Sequence, residues 1–410
     1  MDHVERMRAM YEGEEFDHLF RREFGFFPQT MERWKREGMP EEAAQGKPGF
    51  REYFGHDAWV WVDQGVDLGW CEAPLVPCYE EKVVRVEGGH EIVQDFIGRV
   101  KAYPIGQRQQ VMPSYLKHAV ASHRDWEEDV EPRLNPDTPA RWEKFEENCS
   151  VSRTKVGRAE ALRTANVIGG YMYLRSLIGP VDLLYKLYDE PDLIREMMEH
   201  WRDFMVKCLV KSREKGGPFF RLFLGEDICY KTGPLISPEM MREFLIPYYR
   251  ELHQELQSRQ SEKLHFEVDT DGDCRSVIDI YLEAGVDGMS PFEVAAGCDV
   301  AEIGRRYPKL FMSGGIDKRV LAKGPKAIDE MMEHIMPPMV KRGRYIPTCD
   351  HSLPDDVPLA NYLHYRKRAM DMDASPEMHD SSTSPTTPRN CVASSTTPAT
   401  PNEWKSGGRE

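Results

Sequence analysis

Four carboxylates and one histidine crowd a short stretch, LHFEVDTDGDCRS, that begins at Leu264. The acids are Glu267, Asp269, Asp271 and Asp273, and the histidine is His265. Carboxylates at such close spacing serve as ligands of a divalent cation or as groups that transfer protons, provided that they face one common space. The alternative is a solvated turn in which the aspartates cap the following helix.

The elements on either side decide where these acids point. Leu264, Phe266 and Val268 share one parity, and His265, Glu267 and Asp269 share the other, which is the period of a strand. In a parallel barrel the polar set would face the interior. A glycine then breaks the run, and RSVIDIYLEAGV has helical spacing. The acids therefore lie at a strand-to-helix turn, the edge that carries chemistry in α/β folds.

The same alternation of strand and helix repeats from about residue 160 onward. Predicted strands lie at NVIGGYMYL, FFRLFLG, KLHFEVD, VDGMSPF, LFMSGGID and RYIPTCD, and amphipathic helices follow most of them. Five of these strands end in carboxylates, in GED, DTDGD, PFE, GGID and TCDH. Because the carboxyl ends of barrel strands converge on one mouth, we predict that DTDGD belongs to the rim of an active site.

These strand ends supply the candidate site residues. The catalytic candidates are Glu226, Asp227, Glu293, Asp317 and His351. Adjacent residues at a strand end point to opposite faces, so at most one of the first two faces the mouth. His351 is the best general-acid candidate because an imidazole titrates near neutrality. The metal-ligand candidates are Asp269, Asp271 and Cys349, with Glu293 as a further ligand and His351 as the alternative to Cys349, a set that suits zinc or another divalent ion.

Composition limits the class of protein. The chain has 410 residues, 40% of them hydrophobic, which is enough for a large core. Its net charge of −15 disfavours nucleic acid and anionic membranes as partners. It contains no apolar run of about 18 residues, and MDHVERMRAMYEGEEF lacks a signal-peptide core. The nine scattered cysteines form no CxxC pair, so we expect free thiols and a cytoplasmic location.

Three regions are expected along the chain. Residues 1–150 form an N-terminal extension with the first barrel elements: residues 1–45 are mostly helical, WVWVDQGVDL is a candidate first strand, and KVVRVEGGHEIVQDFIGRVKAYP predicts a hairpin around Gly88 and Gly89. Residues 151–372 form the barrel. Residues 373–410 are rich in serine, threonine and proline and are expected to be a disordered tail.

Several segments together resemble the uroporphyrinogen decarboxylase superfamily, which includes corrinoid-linked methyltransferases. They are GEDICYKTGPLISPEMMREFLIPYYREL, DTDGD, AGVDGMSPFEVAAGCDV, LFMSGGIDK and TCDHSLPDDVPLANY, between about Gly169 and Met370. The N-terminal part is similar more loosely, through MERWKREGMPEE and the hairpin. The resemblance implies an α/β fold, a (β/α)8 TIM barrel with an N-terminal helical and hairpin extension.

The decarboxylase branch makes one set of demands. It holds substrate carboxylates with an N-terminal signature in which an arginine is followed closely by Gly-Arg-Tyr, since arginine forks bind carboxylates in a bidentate manner. This chain lacks that pattern, and its early arginines lie on helix-like stretches: Arg6, Arg8, Arg21, Arg22, Arg33 and Arg36. His351 does occupy the place of a histidine before a proline-rich loop. The resemblance also implies that Asp317 shapes the mouth or binds a substrate ring nitrogen.

The methyltransferase branch uses zinc, held by a His-x-Cys pair and a later cysteine, to activate a thiol. Here the pair's place contains Asp269-Thr270-Asp271, or His265-Phe266-Glu267 four residues earlier, and Cys349 lies near the third ligand. We expect a metal-assisted methyltransferase with zinc and methylcobalamin or another corrinoid as cofactors. A small-molecule substrate, a corrinoid protein as candidate partner and a homodimer as candidate assembly follow from the resemblance. The alternatives are decarboxylation of uroporphyrinogen or a related poly-acid, and a barrel that only carries a corrinoid or tetrapyrrole.

Overall fold

The computed structural model of the chain describes residues 1–108 and 111–373. The strands are β1 (Trp61–Val62), β2 (Lys82–Glu87), β3 (His90–Gln94), β4 (Val100–Pro104), β5 (Ser114–Lys117), β6 (Leu162–Ile168), β7 (Arg221–Gly225), β8 (Cys229–Tyr230), β9 (Gly233–Pro234), β10 (His265–Asp269), β11 (Gly288–Phe292), β12 (Phe311–Ile316) and β13 (Tyr345–Cys349). The helices are α1 (His3–Glu12), α2 (Pro28–Arg36), α3 (Phe50–Phe54), α4 (His123–Asp125), α5 (Phe145–Gly157), α6 (Gly170–Ile178), α7 (Pro180–Asp189), α8 (Pro191–Gly216), α9 (Pro238–Phe244), α10 (Ile246–Gln257), α11 (Ile278–Glu283), α12 (Val300–Arg306), α13 (Lys318–Leu321), α14 (Pro325–Arg342) and α15 (Leu359–Asp373).

The central element is a parallel sheet of seven strands in the order β1-β6-β7-β10-β11-β12-β13. Every neighbouring pair is parallel, as the strand and helix alternation predicts. The sheet is curled, so that strands far apart in its order approach a common interior. Tyr11 of α1 contacts both Trp61 of β1 and Phe311 of β12, at ring-centroid distances of 5.9 Å and 3.8 Å. The predicted strands are confirmed, except that GGYMYL, assigned to the strand at Asn166, begins α6 instead.

The expected eight-stranded barrel is present only as this curled seven-stranded sheet within residues 1–108 and 111–373. The extended segment 20–26 lies between its two outer strands. Asp57, before β1, donates its backbone N–H to the carbonyl of Arg21 at 2.7 Å. Leu353, after β13, donates to the carbonyl of Gly25 at 2.9 Å. The prediction that residues 1–45 are mostly helical is therefore wrong for residues 14–27, where pairing with these edges overrides local helical preference.

A polar cluster closes the interior at the amino end of the sheet. The Tyr11 hydroxyl accepts a hydrogen bond from Arg221 Nη1 at 3.1 Å and donates to Glu267. Arg221 Nη1 also lies 2.7 Å from Glu267 Oε2, and Ser290 Oγ donates to Glu267 Oε1 at 2.9 Å. We call Tyr11, Arg221, Glu267 and Ser290 the floor cluster. In this cluster the buried charges of Arg221 and Glu267 are paired with each other and with hydroxyl groups, which offsets the cost of burying an ion pair.

The predicted hairpin around Gly88 and Gly89 is confirmed as β2 and β3, and it extends into an antiparallel sheet of order β2-β3-β4-β5. The predicted tail, apart from Asp373 at the end of α15, lies outside the described residues. None of the helices in the described ranges combines the length and apolar character needed to cross a membrane.

Candidate functional site

A cavity of about 260 Å³ occupies the interior of the curled sheet above the floor cluster. Its lining includes Glu267 and Asp269 of β10, Ser290 of β11 and Ser313 of β12. The side chains of Leu264, Phe266 and Val268 are buried on the other face of β10. The predicted parity of this strand is thus confirmed: its polar set faces the interior, and DTDGD continues from the cavity wall to the mouth.

Asp269 is the acid with the most perturbed environment in this wall. Burial, together with the negative charges of Asp271, Glu267 and Asp227, raises the pKa of Asp269 well above its ordinary range. The charge of His351 acts in the opposite direction but is the smaller effect. A carboxyl that lines a cavity and has a raised pKa is suited to donate its proton to a bound molecule.

Asp227, Asp271 and His351 form a polar cluster beside Asp269, outside the lining of the cavity itself, and we call these three residues the rim. Burial and then the charge of Asp271 raise the pKa of Asp227, whose Oδ2 lies 3.7 Å from Arg175 Nη2. His351 Nε2 lies 3.1 Å from Asp271 Oδ1, and this hydrogen bond raises the pKa of the imidazole. Asp227 has a φ of 47°, a left-handed conformation that is uncommon outside glycine and is typical of functional turns. The three residues come from different strand ends, as predicted from sequence.

The loop that carries Asp271 is held by its neighbours. Gly272 has a φ of 74°, and a Cβ there would lie 2.6 Å from the carbonyl oxygen of Tyr230, so glycine is required. The Gly272 N–H donates to Glu293 Oε2 at 2.8 Å. Glu293, a predicted catalytic residue, thus holds the DTDGD loop through this bond.

The structure separates Glu226 from Asp227. The Glu226 carboxylate is fully buried between β7 and the helices α6 and α10, where it accepts a hydrogen bond from the Tyr249 hydroxyl. Burial raises the pKa of Glu226 to about 8. Neither Glu226 nor Asp227 is among the residues that line the 260 Å³ cavity, but Asp227 lies beside Asp271 whereas Glu226 bonds Tyr249 of α10, which agrees with the prediction that at most one of the two acids faces the mouth.

Asp317 serves as the N-cap of α13. Its carboxylate accepts hydrogen bonds from the backbone N–H and the guanidinium of Arg319, both at 2.9 Å. Although burial opposes the change, these bonds lower the pKa of Asp317. The contacts that the structure shows for this residue are therefore those of a helix cap.

The predicted metal ligands do not converge. Ile346 of β13 lines the cavity, so Cys349 has the opposite parity and its side chain is fully buried on the other face. Its backbone N–H donates to Glu23 Oε1 at 2.7 Å, and burial raises the pKa of the thiol well above its usual range. Within residues 1–108 and 111–373, no three His, Cys, Asp or Glu side chains are placed to hold a metal. The present arrangement does not fit the expected zinc site, and we derive no step through a metal.

The sequence analysis missed the other lining residues of the cavity. Aromatic side chains form much of its wall, among them Trp61, Trp70 and Phe223, and Arg22 lines it as well. The three tryptophans of WVWVDQGVDLGW were a usable signal, since aromatic side chains are typical of ligand cavities. Arg22 is one of the early arginines on stretches with a helix-like, polar pattern, and that pattern does not predict a place in the cavity wall.

The family model described as Uroporphyrinogen decarboxylase (URO-D) matches residues 109–370, more than half of the chain. The chain belongs to the uroporphyrinogen decarboxylase family. The match covers β6 to β13 and hence all the rim residues. No curated protein sequence matches the chain.

Two solved structures are similar to this chain. A methyltransferase from Methanosarcina mazei is similar with a TM-score of 0.56 and 14% identity, over 90% of this chain and 99% of that chain. A B12-independent methionine synthase from Shewanella sp. W3-18-1 matches with a TM-score of 0.31 and 9% identity, over 55% of this chain and 65% of that one. The first similarity, at this identity, shows a shared fold.

Proposed function

We propose that this URO-D family member is an acid–base enzyme that protonates a small substrate in the interior cavity. The observation that carries the proposal is the environment of Asp269. This carboxyl lines the cavity, and burial with three neighbouring acids raises its pKa. The raised pKa favours the protonated form of this carboxyl, which lies adjacent to the space where a substrate fits.

The rim residues supply a route by which the proton is replaced. His351 is about one-third exposed and bonds Asp271, so it exchanges protons with solvent at the mouth. Asp271 acts electrostatically on both Asp269 and Asp227. Loss of the Asp269 proton would leave up to four carboxylates clustered with one imidazolium, an unfavourable state that promotes reprotonation.

Decarboxylation is the reaction that uses these groups most directly. The bond between a substrate carbon and its carboxylate breaks, carbon dioxide leaves, and the electron pair remains on the carbon. That carbon then takes the proton of Asp269, and Asp269 regains a proton from the rim. The aromatic wall lowers the polarity around the departing carboxylate, which favours its conversion to the neutral product. We therefore place carboxy-lyase activity on uroporphyrinogen or another poly-acid first.

Methyl transfer is the second candidate. An adjoining cavity of about 580 Å³ shares Trp61, Trp70 and Phe223 with the interior cavity and reaches Trp59, which is 71% exposed. An opening of this size admits the reactive end of a bulky C1 carrier such as a corrinoid. In that reaction Asp269 would protonate the leaving group.

The test compares products and variants. Purified protein is assayed for formation of coproporphyrinogen from uroporphyrinogen, and separately for demethylation of methylcobalamin in the presence of thiol acceptors. In whichever assay turns over, Asp269→Asn should lower kcat by about 10²- to 10⁴-fold. The matched control is Asp273→Asn, because Asp273 belongs to the same acidic run but pairs with Arg275 at 2.8 Å. Turnover of Asp269→Asn equal to that of the control would refute the proposal.

A further inference from the structure

Two cysteine thiols lie in contact beneath the mouth of the curled sheet. Cys274 ends the acidic loop after β10, and Cys298 lies in the loop after β11, just before α12. Their Sγ atoms are 3.9 Å apart, and each residue is only 1% exposed. A disulfide joins its sulfur atoms at about 2.0 Å, so an approach of about 2 Å would connect these two loops covalently.

A hydrogen bond ties this pair of thiols to the rim. The Cys298 thiol donates to the carbonyl oxygen of Gly272 at 3.5 Å. Gly272 directly follows Asp271, whose carboxylate lies 3.1 Å from His351 Nε2. Oxidation of Cys298 removes the thiol hydrogen, so the bond to Gly272 is then lost. A change at the two sulfur atoms would therefore reach Asp271 through one neighbouring residue.

The surroundings make Cys298 the better nucleophile of the two. The hydrogen bond from Cys274 is the largest effect and lowers the pKa of Cys298, although burial opposes the change. The charge of Arg275 acts in the same direction as this bond. The same hydrogen bond, followed by burial, raises the pKa of Cys274 well above its ordinary range. Since the thiolate is the reactive form of cysteine, Cys298 should react first and Cys274 second.

The two thiols lie close beneath the protein surface. Gly297, next to Cys298, is exposed, and a Cβ at Gly297 would lie 3.2 Å from Arg275 Nη2. The Arg275 side chain is itself 52% exposed and pairs with Asp273 at 2.8 Å. This side chain is the cover that an oxidant has to displace, which favours a small oxidant such as a hydroperoxide.

We propose that Cys274 and Cys298 are a site of reversible oxidation, where a hydroperoxide converts the two thiols into a disulfide that displaces the loop of Asp271. The Cys298 thiolate attacks one oxygen of hydrogen peroxide, the O–O bond breaks, and the departing hydroxide takes up the proton that this thiol released. The sulfur of Cys274 then attacks the sulfenic acid, the S–O bond breaks as the S–S bond forms, and the second hydroxide takes the proton of Cys274. Two electrons pass from the thiols to the peroxide, which becomes two molecules of water. A dithiol reductant reverses the change.

Peptide mapping of the full chain tests this site. Trypsin cleaves after Lys263, Arg275 and Arg305, so Cys274 and Cys298 fall in separate peptides, 264–275 and 276–305. Folded wild-type protein is treated with hydrogen peroxide, its remaining thiols are alkylated, and it is digested without reduction. The two peptides should be recovered joined to each other, and dithiothreitol should separate them. The mapping requires no turnover, so its result is independent of the acid–base proposal.

The variants separate this pair from its neighbours. Cys274→Ser and Cys298→Ser should each abolish the linkage. The matched control is Cys229→Ser, which should keep it, because Cys229 is a buried cysteine of the adjacent β8 whose charge acts on Cys274. Unlinked peptides from peroxide-treated wild type, or a linkage of either peptide to a different cysteine, would overturn the proposal. Wild type alone decides this result, so it stands even where a serine variant unfolds.

The displacement of the rim has its own measurement. Oxidised wild type should show a shifted NMR signal for the imidazole C–H groups of His351, because the loop of Asp271 moves. Cys274→Ser treated with the same peroxide should show no shift, which excludes an effect of oxidation elsewhere in the chain. An unchanged His351 signal in fully linked protein would refute the displacement.

Discussion

His351 Nε2 and Asp271 Oδ1 lie 3.1 Å apart, which joins the end of β13 to the loop after β10 across the mouth of the cavity. The two residues are 80 positions apart in the chain, and their contact depends on the curl of the sheet. The hydrogen bond to Asp271 is the main cause of the raised pKa of His351. The pair is therefore an acid whose proton persists to higher pH than that of a free imidazole.

Replacing the partner should shift this titration. In Asp271→Asn the pKa of His351 should fall, because the negative charge that stabilises the imidazolium is removed. If the protonated pair supports turnover, the alkaline limb of the kcat profile should move to lower pH. The titration is followed by NMR of the imidazole C–H signals, with the His351 signal assigned from its absence in His351→Gln. Asp273→Asn should leave the curve in place, and an unchanged curve in Asp271→Asn would show that the pair is not coupled in solution.

Glu226 should make the free energy of unfolding depend on pH. Burial raises its pKa from 4.5 to about 8, so the folded state holds a proton that the unfolded state has released between these values. Stability from this group is therefore lost as pH rises, by at most about 1.4 kcal/mol per pH unit across that window. Glu226→Gln cannot ionise and should gain stability relative to wild type from pH 5 to pH 8.

The measurement is thermal or urea unfolding of both proteins across this pH range. A constant difference between them would mean that Glu226 is ionised in the folded state at neutral pH. Glu226→Gln should also retain turnover, since Glu226 is outside the cavity lining and acts on the packing of α6 and α10. Loss of turnover without loss of stability would return Glu226 to the catalytic candidates.

The periodicity of the sequence was sufficient to predict the strands of the parallel sheet and the face of β10 on which its acids lie. The alternation around His265 predicts which side chains of β10 face the interior, because the period of a strand allows only two faces. The same rule predicts that Glu226 and Asp227 diverge. By the same rule Cys349 points away from the face that Ile346 presents to the cavity, so the prediction that Cys349 joins Asp269 and Asp271 is at odds with the period of β13.

Contacts between distant segments could not be predicted in this way. Tyr11 and Arg22 reach the interior from a region with no strand pattern, because the segment after α1 is held by backbone bonds to Asp57 and Leu353. Such pairing is non-local and leaves little trace in the local sequence. The left-handed φ of Asp227 is likewise imposed by its surroundings, since a non-glycine residue rarely adopts it without tertiary contacts.

The floor cluster should contribute strongly to stability. Glu267→Ala would leave Arg221 charged and buried, with a loss of about 3 kcal/mol or more in the free energy of unfolding. The double variant Glu267→Ala with Arg221→Met removes both charges and should recover much of that loss. Urea unfolding of the two single variants and the double variant gives the coupling energy. Additive losses would contradict a mutually satisfied pair.

Metal content provides the sharpest comparison between the two candidate reactions. The Cys349 side chain is buried on the face opposite the cavity, so Cys349→Ser should leave the metal content of purified protein unchanged. Any ion held at the rim should instead depend on Asp271, whose carboxylate faces His351 at 3.1 Å. Elemental mass spectrometry of wild type, Cys349→Ser and Asp271→Ala decides between these arrangements. About one zinc per chain that disappears in both variants would require β13 to turn Cys349 toward the cavity, and would place metal-assisted methyl transfer ahead of decarboxylation.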